Sequence, residues 1–196
     1  VTESFFLKSS AFLCLGFAAA FSGPVRWLAM TGDPSEYEDR ADEDEKCLTY
    51  TTAPLEADLE VTGHPILHLF VSSSAADGDF FVYLEDIGED GYAQYKSEGQ
   101  LRASLRKLGE RPWLPELPYH PSFQTDVQPL VPGEMVELVV ALFPVSHVFK
   151  EGHSVRISLA GADVDNFRTP EISPAPVWTV YRGGSNASYV EMPIIP

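Results

Sequence analysis

Glu45–Ile87, EKCLTYTTAPLEADLEVTGHPILHLFVSSSAADGDFFVYLEDI, decides the fold class. It reads as four short strands separated by punctuation, with no helical period. Cys47–Thr52 carries Thr49, Thr51 and Thr52, which are β-branched, and Pro54 stops it. Asp58–Val61 is a second strand closed by Gly63. Ile66–Ser73 is almost wholly apolar, so both of its faces are expected to be covered. Asp77-Gly78 is turn chemistry, and Phe80–Asp86 follows as a strand.

The later sequence continues in the same style. Gln100–Ser104 is a weaker strand, and Glu134–Phe143 alternates well. Ser154–Ala160 sends Val155, Ile157 and Leu159 to one face and Arg156 and Ser158 to the other. Trp178–Arg182 and Tyr189–Ile195 close the chain. Nine or ten strands with irregular connections predict an all-β protein built as two antiparallel sheets packed face to face, as a jelly-roll β-sandwich or another sandwich.

The chain has 196 residues, enough for one large β domain, and its 44% hydrophobic content supplies a core. The formal net charge of −16 argues against nucleic acid, whose phosphates need clustered cations, and against an anionic membrane surface. Eight acids against Arg40 crowd residues 33–45. That run predicts a solvated acidic linker, with a cation or basic-partner site as the sharper alternative. Residues 1–26 form an atypical apolar segment ahead of a domain spanning 27–196. The run Ala11–Phe21 predicts a short packing helix; a signal peptide over residues 1–22 is the other reading. The expected location is cytoplasmic, or secreted if that segment is a leader.

Catalytic chemistry is hard to find. The nucleophile pattern G-x-S-x-G does not occur. Ser146-His147 and His153-Ser154 are neighbours, and neighbours on a strand point to opposite faces. His64 and His68, spaced as on a helix, would lie about 13 Å apart on a strand, too far to share one ion. His147 and His153 flank a turn and are expected to bond backbone groups. Asp163, Asp165 and Asn166 cap a tight turn, and calcium would require Asp77, Asp79 or Asp86 to converge on them. No cofactor and no metal are called for. Asn186-Ala187-Ser188 fits the glycosylation pattern, a short and weak signal.

The loop Gly109–Pro132 holds six prolines and cannot be a regular element. Trp113, Tyr119 and Phe123 would be costly to leave in water, so the loop is expected to lie against its own sandwich or another domain. Trp113, Tyr119, Phe123, Asp163, Asp165, Asn166 and Arg168 are therefore the candidates for a ligand or domain interface.

Several segments, in order, resemble a known family: DEKCLTYTTAPLEADLEVTGHPILHLFVSS, DGDFFVYLEDIGEDG, EGQLRASLRK, PYHPSF, LVPGEMVELVVALFPVSHVFKEGHSVRISLAGADVDNF and VWTVYRGG. They are similar to the C-terminal domain of the X-prolyl dipeptidyl peptidase and cocaine esterase family of serine hydrolases. The resemblance implies a galactose-binding-like jelly roll that packs on an α/β-hydrolase catalytic domain or subunit. It implies an accessory, non-catalytic role in ester, amide or X-Pro peptide hydrolysis, and it carries over no catalytic residue. The alternative is a stand-alone module binding carbohydrate or a similar ligand, with Tyr119, Trp178 and the Asp163–Arg168 loop as its candidates. A sticky apolar surface would also suit a homo-oligomer.

Overall fold

The computed structural model describes the backbone of residues 2–6 and 12–15, and residues 39–164 and 166–196 in full. Twelve strands are described: β1 (Thr2–Phe6), β2 (Phe12–Leu15), β3 (Leu48–Thr51), β4 (Leu59–Gly63), β5 (Ile66–Ser73), β6 (Asp79–Ile87), β7 (Ala93–Arg102), β8 (Val136–Ala141), β9 (Val145–Phe149), β10 (Ser154–Ala160), β11 (Val177–Val180) and β12 (Tyr189–Pro193). One helical turn, α1 (Ala41–Asp44), precedes β3. Among the described residues no helix is long and apolar enough to cross a membrane.

The larger sheet is organised around β5. Its one edge pairs with β8 from Ile66 to Val71. Its other edge is shared: β12 covers Ile66–His68 and β11 covers Val71–Ser73. β1 lies outside β12 and β2 outside β11. The seam between β12 and β11 falls at Phe70. There Tyr181 N–H donates to the Phe70 carbonyl at 2.9 Å. The Ser188 hydroxyl oxygen accepts from Phe70 N–H at 2.9 Å. The side chain thus does the work of a missing ladder carbonyl.

The second sheet runs β3-β10-β6-β7, all antiparallel, and β4 pairs with β9 as a separate ribbon. The core lies between the sheets. Leu67, Leu69, Val71, Leu138, Val140, Trp178 and Val190 come from one side; Phe80, Val82, Leu84, Leu101, Val155, Ile157 and Leu159 come from the other. Each such side chain is worth ~1.5–3 kcal/mol when buried. Two glycines permit the approach. A Cβ on Gly78 would sit 2.4 Å from the Trp178 ring, and one on Gly99 2.7 Å from the Ala141 carbonyl oxygen.

The all-β sandwich is as expected. The N-terminal helix is not: Phe12–Leu15 is extended and pairs with Val177–Val180. Phe12, Leu13 and Leu15 are large and apolar, and the free edge of β11 offers their backbone a ladder that a short isolated helix would lack. The remainder of the expected helix, with acidic residues 33–38, lies outside the described residues.

Candidate functional site

The acidic run is not wholly solvated. Arg40 is 2% exposed and Asp44 7%. Both lie against the outer face of the β3-β10-β6-β7 sheet. Arg40 Nε donates to Glu85 at 2.6 Å, and its guanidinium stands 4.1 Å from the centroid of the Tyr83 ring. Asp44 accepts from Arg156 at 2.6 Å and from the Ser158 hydroxyl at 2.9 Å. Asp39 takes the Ala93 N–H at 2.9 Å, and Arg40 N–H donates to the Ala93 carbonyl. Burial, aided by Asp44, pushes the Glu85 carboxyl up to about 8, against the pull of Arg40. Burial likewise pushes the Cys47 thiol up to about 11, away from the thiolate range of reactive cysteines. Among the described acids of this segment, Asp44 thus has internal basic partners, Arg156 and Arg40.

A second cluster joins the ribbon to the sheet. His147 Nε2 lies 2.7 Å from Asp86 Oδ2, and His153 Nδ1 lies 2.8 Å from Asp86 Oδ1. The expectation that these histidines bond backbone groups is thus corrected: both imidazoles converge on one carboxylate at the end of β6. Burial draws Asp86 upward, but the two imidazole hydrogen bonds outweigh it and hold the carboxyl below its ordinary value. A histidine braced by a carboxylate is half of a hydrolytic triad. The neighbouring Ser146 hydroxyl bonds Thr62 instead, at 3.0 Å. Among the described residues no serine hydroxyl is hydrogen-bonded to an imidazole ring.

The other histidines are also committed. His64 Nδ1 sits 3.0 Å from the Leu142 carbonyl. His68 stacks on Tyr189 at 4.5 Å, with Glu137 on one ring nitrogen and Glu191 on the other side. No group of three or more metal-type ligands forms among the described residues. The acids considered for calcium are dispersed. Asp77 accepts from Ser104, Asp79 pairs with Arg102, and Asp86 holds the two histidines.

The interface candidates separate into two groups. Trp113 is 79% exposed and Phe123 64%. Tyr119 is half-buried and carries the Arg111 guanidinium 5.0 Å above its ring. Their loop is held down by polar ties rather than by these aromatics. Gly109 N–H donates to the Tyr119 carbonyl, Gln128 N–H to Ser104 and Leu130 N–H to Ala76. His120 Nε2 lies 2.8 Å from the Val139 carbonyl on β8. Lys107 contacts Asp126.

The second group surrounds Asp163, which is buried. It accepts from the Tyr83 hydroxyl at 3.1 Å and from Asn166 at 2.9 Å, a turn-capping role. Asp165 lies outside the described residues. Trp178 is 4% exposed, within the core, and offers no surface to a sugar. Arg168 instead borders a cleft of about 340 Å³ on the outer face of β6 and β7. The cleft is lined by Phe167, whose ring lies 4.9 Å from that of Phe81, and by His120 and Ser122 from the proline-rich loop. Asp79 and Arg102 form a two-bond pair across the strands at its rim, at 2.8 and 3.0 Å. Ser122 adopts φ +59°, a left-handed conformation costing ~1–2 kcal/mol for a residue with a side chain. Sequence reasoning found Arg168 but missed Gln100, Arg102 and Phe81, because cross-strand register is what gathers them.

Comparison with known proteins agrees with this anatomy. A protein of Mycobacterium bovis named as a serine esterase is 45% identical over 176 residues, covering 87% of this chain and 28% of the relative. The cocaine esterase of a Rhodococcus species is 29% identical over 161 residues, covering 76% of this chain and 25% of that enzyme. The chain thus spans about a quarter of the length of these relatives. The fold recurs in an aminopeptidase from a marine sediment Thaumarchaeota archaeon, with TM-score 0.73 and 19% identity over all of this chain and 37% of that one. It recurs in a CocE/NonD family hydrolase from Staphylococcus aureus, with TM-score 0.71, 18% identity and the same coverage. Residues 18–191 match the family described as the X-Pro dipeptidyl-peptidase C-terminal non-catalytic domain. The β-sandwich, with its histidines bound to carboxylates and carbonyls rather than to a nucleophile, belongs to that family of non-catalytic domains.

Proposed function

We propose that this domain packs, through the proline-rich loop around Trp113 and Phe123, on an α/β-hydrolase domain whose serine nucleophile cleaves esters, amides or X-Pro peptides. The observation that carries the reading is the exposure of two large aromatic side chains on a loop that polar bonds hold in place. Water-exposed aromatics on a tethered loop lose little further entropy on docking. A contact of the inter-domain kind, ~600–1,500 Å², would bury them. The relatives' extra length supplies a partner of suitable size.

The test is a binding titration between this chain and the part of the Mycobacterium bovis relative that the chain does not cover. A stable complex that is lost with the Trp113→Ser/Phe123→Ser double variant is expected. Equal binding by wild type and double variant would remove this loop from the interface; no complex with either would count against the packing.

A further inference from the structure

We infer that the cleft lined by Phe167, Arg168 and Ser122 is a binding site for an apolar carboxylate, with the apolar body on the Phe81–Phe167 pair and the carboxylate on the Arg168 guanidinium. The register of β6 and β7 builds its floor. Asp79 faces Arg102 and Phe81 faces Gln100, so all four side chains emerge on the outer face of the sheet. The volume, about 340 Å³, lies within the ~300–1,000 Å³ of small-molecule sites.

The charge decides the ligand class. The chain as a whole carries −16, yet among the described residues this cleft presents two arginines and a single acid. That acid, Asp79, has both oxygens taken by Arg102. Among the described residues Arg168 pairs with Glu171 at 3.7 Å, with both side chains about 90% exposed. A surface pair of that kind is worth little, and a ligand can displace it. The guanidinium fork then matches a carboxylate, which a neutral group of the same shape cannot replace. The Gln100 amide offers a further donor at the floor. Ser122, which also lines the cleft, is held in a left-handed conformation, and strained backbone of this sort concentrates at ligand clamps. Small ligands titrated against this chain alone reach the cleft independently of the docking proposed above.

The experiment follows backbone amide shifts of the full chain during titration with phenylacetate, with phenylacetamide, and with a short peptide ending in a phenylalanine carboxylate. Saturable shifts at Phe81, Gln100 and Ser122 with the carboxylates are expected, with phenylacetamide at least about tenfold weaker. Arg168→Ala, at a side chain 89% exposed, leaves the fold intact and weakens both carboxylates about tenfold; Arg168→Lys recovers part of the loss. Tighter phenylacetate identifies a free acid as the natural source, and a tighter peptide identifies a chain terminus; either supports the site. Absence of saturable binding, equal binding of acid and amide, or indifference to Arg168→Ala overturns it.

Discussion

Arg40 is clamped between a carboxylate and an aromatic face. Its Nε donates to Glu85 at 2.6 Å while its guanidinium lies 4.1 Å from the Tyr83 ring centroid, with 2% of the residue exposed. Removing one partner of such a buried pair leaves the other side chain buried without its hydrogen bond. Arg40→Met is therefore expected to destabilise the chain by ~1–3 kcal/mol. The double change Arg40→Met/Glu85→Met should recover much of that loss, because neither polar group is then left buried without the other. Urea unfolding of the four species in a double-mutant cycle measures it, and a double variant no better than the single would contradict the account.

Glu85 also predicts a pH dependence. Its carboxyl is raised from 4.5 to about 8 in the folded chain, chiefly by burial. Between those values the folded state holds a proton that the unfolded state has released. The contribution is therefore fully present below 4.5 and is lost as pH rises through about 8. The urea midpoint should fall between about pH 5 and about pH 9, and Glu85→Gln should flatten that slope. A wild-type midpoint that rises across this window would show the sign to be wrong.

Asp86 has the opposite sense. Despite burial, its hydrogen bonds with His147 and His153 hold the carboxyl below 3.8. Its contribution is present above the ordinary value and disappears as pH falls through the lower, folded value. Asp86→Asn should lower the thermal midpoint at neutral pH, with the deficit shrinking in strong acid. A deficit constant with pH would mean that the carboxylate's charge plays no part.

Two substitutions test the sheet geometry. Gly99→Ala would place a methyl group 2.7 Å from the Ala141 carbonyl oxygen, so the strands must part; a loss of ~1–3 kcal/mol is expected. Ser188→Ala removes the acceptor of the Phe70 N–H at the seam between β11 and β12, with an expected loss of ~1–3 kcal/mol. Denaturant midpoints measure both, and values within a few tenths of wild type would show that the backbone adjusts freely.

What the sequence disclosed follows from how locally each feature is encoded. β5 and β10 were legible because apolar runs and alternation mark burial directly. Most of β7 was not, since AQYKSEGQLR lacks an apolar stripe, although Ser97, Glu98 and Gly99 are buried beneath neighbouring segments. β9 was hidden in VSHVF, five residues that become a strand through pairing with β4. The Arg40 clamp could not be foreseen, because charge density suggests solvent and only tertiary contact supplies a buried partner 45 residues away. The Arg168 cleft was half visible: the loop residue was singled out, whereas the floor needed the β6–β7 register. The exposure of Trp113 ran against the ordinary cost of leaving an aromatic in water, which is why that side chain invites a partner.

Ser188 is wholly enclosed, its hydroxyl wedged between the Phe70 amide and the Tyr181 carbonyl. An enzyme that attaches glycans to the Asn186-Ala187-Ser188 tripeptide must reach that hydroxyl. In the folded protein that hydroxyl is out of reach, so a sugar on Asn186 would have to be installed while the nascent chain is still extended.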